Sequence, residues 1–402
     1  MKILKRILLG LLVIVLVIQV PFIYRRYKIG QLADKIAQSN ANRTFREDLK
    51  YKEYKGIIHA HTSLGGHSTG GFDELINAAN ANDLDFVLMT EHWSDVYDTS
   101  ALTLNGVYGK TLFVGGNEID TADGDRFLMI PGSADAAGLR NMSTTAVLEK
   151  LHAENRLALI TYPEKFKSWD SNFDGDEVFS LHTESKQMNP FTALGDLIWS
   201  YPAYPQLTLA THLRRPDANL QKFDEIAAKR PISLFAGTDA HSNIGFHLFG
   251  DDAGNKLINL KIDPYTTSLG VARVHVLIEK NIPLNRQTLV EAIKTGHYFI
   301  GMDAFGDTSG FAFRAVGIGI AHRNFEMGAV AESPVDFRVF APINVHFVVY
   351  RNGEQITKQV GMTDMKFDGQ GPGSYRVEVY RDDLGPPFDK MPWILSNPIY
   401  VR

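Results

Sequence analysis

The sequence predicts an α/β fold followed by an all-β segment, and three observations carry that prediction. From Tyr54 to about residue 302, short apolar runs alternate with amphipathic stretches, the pattern of βα units on a mainly parallel sheet. Polar residues suited to ligand binding recur at the carboxyl ends of those runs, where α/β folds place their sites. From about Asp303 helical periodicity disappears, and short alternating strands recur with Gly/Pro turns between them.

Residues 57–92 (IIHAHTSLGGHSTGGFDELINAANANDLDFVLMTEH) organise the first segment. An apolar lead runs into His59-Ala60-His61, and residues two apart on a strand share a face. His67 follows in a Gly/Ser-rich loop, a helix is expected over 73–82, and a second strand over 85–90 ends on Glu91-His92. Farther on, the run 112–117 closes on Glu118, and the run 232–238 closes on Asp239-Ala240-His241. A single strand histidine is more often a surface or hydrogen-bonded residue than a ligand. Imidazoles and carboxylates at the ends of several strands together have the donor chemistry of a multinuclear Zn, Mn or Fe site.

Further elements follow in order. Strands are expected near 111–114 and 127–130, a helix over 144–155 and a strand over 157–161 that leads into Tyr162-Pro163. A helix over 220–229 precedes the strand 232–237, a loop-rich cover spans 251–263, and a helix over 285–296 leads to a strand at 298–300. Residues 166–213, rich in aromatics and Pro, read as a long insertion that forms a lid or pocket wall or rests on a membrane surface.

Taken in order, HAH (59–61), TEH (90–92), the Glu of GGNEID and GTDAHS resemble the motifs of the PHP (polymerase and histidinol phosphatase) superfamily of metal-dependent phosphoesterases. The resemblance covers residues 54–301 and implies a distorted (β/α)7 barrel. In trinuclear members one metal takes the HxH pair, a bridging Glu and the Asp of DxH, which correspond here to His59, His61, Glu118 and Asp239. Another takes the loop His after HxH, the His of TDH and the His of DxH, which correspond to His67, His92 and His241. The remaining metal shares the Glu and takes two further histidines. One of those positions is Tyr162 (LITYPEKF), and the other falls near 131–135, where there is no His. The expectation is therefore two divalent ions (Zn, Mn or Fe), with Glu118 bridging or terminal; the rival is a substitute ligand from His152, His182 or His212.

Two such ions about 3.5–4 Å apart lower the pKa of a shared water and clamp a phosphoryl oxygen. The attacking group implied is a metal-bound hydroxide, with Asp239, His241 or Tyr162 as candidates for assisting the leaving group. Tyr162 equally fits simple filling of the vacated ligand position. Arg214 and Arg215 in THLRRPD are candidates for binding a substrate phosphate, against the blander reading of a solvated loop. The expected function is hydrolysis of a phosphomonoester or phosphodiester. Two alternatives stay open: a metal-binding protein without turnover, and an amide or ester hydrolase on the same scaffold.

Net charge −5 gives no reason to expect a nucleic-acid partner. The chain has no cysteine, which excludes disulfides, thiolate metal sites, a Cys nucleophile and a lipoprotein anchor. Residues 7–24 (ILLGLLVIVLVIQVPFIY) carry one Gln and no charge, and reach the length of a spanning helix. No small-x-small cleavage site follows, so an uncleaved single-pass anchor is preferred to a signal peptide. Lys2, Lys5 and Arg6 nearly balance Arg25, Arg26 and Lys28, and the short tail before a large domain tips the reading to an extracytoplasmic (periplasmic or extracellular) domain. The expected division is an anchor with its flanks over 1–29, a polar spacer over 30–53, a metal-dependent hydrolase domain over 54–302 and an immunoglobulin-like β-sandwich over 303–402. The sandwich is expected to pack against the first domain, to act as a spacer, or to bind glycan or an envelope polymer. Neither substrate identity nor oligomeric state is legible in the sequence.

Overall fold

The computed structural model describes residues 2–46, 48, 50–243, 245–250, 256–318 and 323–402. Its strands belong chiefly to one large mixed sheet. Those that carry the candidate site are Tyr51–Ala60 (β1), Phe86–Met89 (β2), Glu91–His92 (β3), Thr111–Val114 (β4) and Asn117–Asp120 (β5). They continue with Arg126–Ile130 (β6), Leu157–Ile160 (β7), Gly175–Ser180 (β8) and Ser233–Ala240 (β9). Parallel pairings run from β1 to β2, from β2 to β4 and from β3 to β5. Antiparallel pairings then join β5 to β6 and β6 to β7, and parallel ones join β7 to β8, β8 to β9 and β9 back to β1. The sheet is thus mixed where the sequence suggested a mainly parallel one, because the tight turn 121–125 returns β6 against β5.

Helices cover this circuit by burying narrow apolar faces. In Phe72–Ala81, Leu75, Ala78 and Ala79 are buried, and Asp73 and Glu74 in the first turn complement the helix dipole. Thr144–Ala153 buries Val147, Leu148 and Leu151, and the Ser143 hydroxyl caps its first turn. Arg286–Lys294 starts on an Asn285 capping box. The expected cover over 251–263 differs: 245–250 and 256–261 pair as an antiparallel hairpin, and residues 251–255 lie outside the described residues. The stretch 166–213 is not one insertion, since β8 enters the sheet between β7 and β9. After β8 it forms the helices Leu181–Ser185, Pro190–Trp199 and Pro205–Ala210.

The first half of β1 turns to a different neighbour. Residues 51–56 pair antiparallel with Arg273–Glu279 (β10), which pairs with Tyr298–Gly301 (β11). The sheet then runs on through Ile394–Ser396 into the antiparallel strands Gly373–Tyr380, Val335–Arg351 and Glu354–Asp368. Asn352 and Gly353, both at positive φ, make the tight turn between the two long strands. This C-terminal part grips the root of β9. The Asn397 side chain exchanges hydrogen bonds with the Leu234 backbone (2.8 and 3.1 Å), and the Tyr400 hydroxyl donates to the Ile232 carbonyl (2.6 Å).

At the N-terminus one helix, Lys2–Ala41 (α1), runs through the apolar segment and the first half of the expected spacer. Its apolar segment is long and hydrophobic enough to cross a membrane and is almost wholly exposed. Phe22, Ile29 and Ile36, seven residues apart, are its buried positions and form one stripe against the rest of the chain.

Candidate metal centre

The backbone delivers His59 and His61 by a bulge rather than by plain alternation. His59 stands at φ 74°, and the register of β1 shifts between Ile58 and Ala60 against both neighbours. His61 lies just past the strand, its N–H donating to the Ala240 carbonyl at 3.1 Å. Asp239 (φ 46°) and Tyr162 (φ 54°) share the left-handed region. Each such non-glycine residue costs about 1–3 kcal/mol, and such strain concentrates at functional sites.

Around these residues the imidazoles and carboxylates converge. Nε2 of His61 lies 3.3 Å from both Glu118 Oε2 and Asp239 Oδ1. Nε2 of His59 lies 3.3 Å from Asp239 Oδ1 and 3.6 Å from Glu118 Oε2, and Nδ1 of His92 lies 3.4 Å from Glu118 Oε2. The His241 ring stacks on His61 at 4.4 Å, with Nδ1 3.2 Å from Asp239 Oδ1. Among the described residues, three overlapping groups have the geometry to hold an ion: His59, His61, Glu118 and Asp239; His61, His92 and His241; and His182, Asp239 and His241.

The fit to a cation is visible in unpaired atoms. His59 Nε2, both ring nitrogens of His61, Glu118 Oε2 and Asp239 Oδ1 are buried and have no hydrogen-bond partner. Native structures rarely leave buried polar atoms so, and four of these, all but His61 Nδ1, lie across 3.3–3.6 Å in imidazole–carboxylate pairs. Burial lowers the pKa of His61 to about 3, which keeps the ring in the neutral form that ligates. Burial alone would raise Glu118 and Asp239. The close approach of His59 to Glu118, and of His59, His61 and His241 to Asp239, outweighs it and holds both carboxyls below their usual range.

His67 lies on an exposed loop with its ring 4.9 Å from that of His92, outside those three groups. Tyr162 does meet the cluster: its hydroxyl donates to Asp239 Oδ2 at 2.7 Å. Burial, then the charges of Asp239 and Glu118, push the phenol pKa far up, so Tyr162 keeps its proton. Of the three possible substitute ligands, only His182 reaches the cluster. His212 faces Asp196 (3.2 Å), and His152 faces Asp174 (3.3 Å). The two candidate phosphate-binding arginines lie elsewhere. Arg215 forms a two-pronged pair with Glu378 on the C-terminal strands, and the exposed Arg214 neighbours Glu184.

Three residues at the site have roles that no motif assigns. Glu177 places Oε1 2.6 Å from Nδ1 of His59. Glu91, buried, accepts from the Thr62 N–H (3.0 Å), the Thr62 hydroxyl (2.6 Å) and the Thr103 hydroxyl (3.0 Å), and so clamps the loop after β1. Arg126 lies 3.3 Å from Glu118 Oε1 and 2.7 Å from Asp120, with its guanidinium over the Tyr162 ring. A signal for Arg126 exists in hindsight, since Asp120 and Arg126 flank a short turn containing Gly124.

No family model matches the sequence, and comparison with curated proteins returns no match. Among solved structures, PsfC from Pseudomonas syringae PB-5123 is similar over 60% of this chain and 88% of its own, at 13% identity and a TM-score of 0.36. A likeness at that level carries no inference.

Proposed function

We propose that the chain is a membrane-anchored, metal-dependent phosphoesterase of PHP type, acting on a phosphomonoester or phosphodiester. On this reading the circuit of pairings from β1 back to β1 closes as a seven-stranded barrel, with β2/β3 and β4/β5 each counted as one interrupted strand. The observation that carries the reading is the set of four buried, partnerless ligand atoms, one each on His59, His61, Glu118 and Asp239. His92, His241 and either His67 or His182 extend the set toward a second ion. Divalent ions held there would activate water and neutralise phosphoryl oxygens.

The chain's own groups have distinct tasks. Glu177 holds the His59 ring so that Nε2 faces the cluster, and Tyr162 orients Asp239 through a donated hydrogen bond. Arg126, held by Glu118 and Asp120, and Lys165 lie over the Tyr162 ring at 5.3 and 5.2 Å and bring two cations beside the cluster. That charge favours an anionic ester over a neutral amide. We further propose that residues 7–24 span the bilayer once, with residues 54–302 and 303–402 as two domains outside the cytoplasm.

The test is a panel of phosphate monoesters, phosphate diesters, carboxylic esters and anilides, given to metal-loaded protein and to Arg126→Ala. Turnover of phosphate esters alone, weakened in the variant, supports the proposal. Turnover of anilides or carboxylic esters alone assigns the scaffold to another bond, and bound metal with no turnover assigns a binding role.

A further inference from the structure

One wall of the largely apolar cavity beside the histidine cluster is the helix Pro190–Trp199, which packs on the anchor helix. We propose that this cavity takes the hydrocarbon chain of a membrane lipid whose phosphate ester is presented to the cluster. The head-group half of this statement rests on the phosphoesterase reading; the chain half does not.

The cavity encloses about 310 Å³, the size of a small-molecule pocket. Leu181, Met188, Leu194, Leu197, Leu209 and Ile262 line it, together with His182 and Asp239 of the cluster; of the other titratable side chains in the wall, His212 faces Asp196 and Asp263 accepts from the Asn243 N–H (3.3 Å). His182 and Asp239 also form an ion-holding group with His241, so the cavity adjoins the chemistry of the site. Hydroxyls along the wall are already engaged: Thr208 donates to the Tyr204 carbonyl, Tyr201 to the Ile262 carbonyl and Thr238 to the His59 carbonyl. A sugar or base in this space would find few partners for its polar atoms, whereas a chain of methylenes needs none.

The second observation is where the cavity lies. Its wall helix, Pro190–Trp199, packs directly on α1. The Trp199 indole donates to Gln19 (2.7 Å), the Phe191 and Phe22 rings meet at 5.6 Å, and Arg25 pairs with the fully buried Asp196. Gln19 and Phe22 belong to the apolar segment, and Gln19 lies about 8 Å inside its end at ~1.5 Å per residue. The wall helix therefore meets α1 at the depth of the lipid head groups and first methylenes. Phe191, Leu194 and Ile198 on it are 63%, 48% and 58% exposed. In water such a face is a liability; in a bilayer interface it is the buried side of an amphipathic helix. Leu194 belongs both to that face and to the cavity wall, so the cavity adjoins the surface that meets lipid.

The experiment uses the full chain in bilayer nanodiscs doped with a phosphatidic acid that carries a photoreactive group at its acyl end. Cross-linked peptides are then mapped. The expected result is labelling within 181–209 as well as on 7–24. Ala193→Trp, at the cavity wall, should weaken the 181–209 labelling by about fourfold for each methylene it excludes, with 7–24 unchanged. Labelling confined to 7–24 overturns the proposal. Should Ala193→Trp fail to fold, alkyl phosphates from ethyl to dodecyl compete against the probe on the unaltered chain. Competition that strengthens with chain length supports the proposal, and a flat series overturns it. Phosphate release is scored separately in the same discs. Pocket labelling without release removes the phosphoesterase reading and keeps the lipid cavity. Release from ethyl and dodecyl phosphate alike, with no pocket labelling, does the reverse.

Discussion

Oε1 of Glu177 lies 2.6 Å from Nδ1 of His59, and the contact exists because the neighbouring strand carries glycine at 237. A Cβ at Gly237 would stand 1.6 Å from that carboxylate oxygen and 3.2 Å from the His59 Cβ. Three strands thus cooperate to aim one imidazole: β1 supplies it, β8 holds it, and β9 leaves room and brings Asp239. Outer partners of this kind are worth roughly 10–100-fold in metal affinity. Glu177→Gln is expected to weaken metal binding by that order, measured by competition with a chromogenic chelator. Gly237→Ala should do the same although no ligand changes. Unaltered affinity in both would show that His59 needs no such support.

A second prediction concerns the join between the helix Asp217–Ala227 and the C-terminal strands. Arg376, 2% exposed, donates to both Asp224 oxygens at 2.7 and 2.6 Å and also pairs with Glu378, which binds Arg215. Removing Asp224 takes two charged hydrogen bonds from a buried guanidinium and leaves it Glu378 alone, which it shares with Arg215. Asp224→Ala is therefore expected to destabilise the fold in chemical unfolding by up to about 3–5 kcal/mol, the cost of breaking a buried pair. Replacing Arg376 and Asp224 together by apolar residues should cost less than the single change.

Stability should also fall on the alkaline side. His275 is buried, with Nδ1 2.6 Å from Glu53 and Nε2 3.5 Å from Asp303. Burial pushes its pKa down, but the charge and hydrogen bonds of Asp303 and Glu53 outweigh this and raise it to about 9. A folded-state pKa above the unfolded ~6.5 means that the folded protein holds this proton more tightly. The stabilisation is complete below about pH 6.5 and is lost as pH rises through about 9. The expected loss is on the order of 3 kcal/mol. Melting temperatures taken across that window should fall, and His275→Gln should flatten the fall. Equal slopes for both proteins would mean that other groups set the alkaline limit.

Much of the site was legible because ligand-type residues stand in short motifs at the ends of apolar runs. HAH, TEH and DAH end or follow β1, β3 and β9, and Glu118 lies on β5, so chain order alone brought most of the candidates close to their neighbours. What no motif revealed depends on local departures from pattern. The strand β8 begins Gly-Asp-Glu, and two acidic residues ahead of a brief apolar pair read as loop; the second of them is Glu177. The positive φ of His59 has no signature in a histidine, although it decides which way the ring points. Among the C-terminal strands, Glu354–Asp368 is one of the longest and has no strand signature in the sequence. Its two faces are largely exposed, so its residues carry no apolar alternation. The continuity of α1 into the expected spacer rests on tertiary contacts, with Ile29 and Ile36 buried against the rest of the chain.

The most direct test of the central claim is the metal content of the full chain, purified in detergent without chelator, beside His59→Ala/Asp239→Ala. The account predicts about two divalent ions per chain, matching the spacing of a two-ion site, and a clear fall in the double variant. Protein that stays folded yet holds no metal after repletion, or a variant that keeps the full complement, would contradict it.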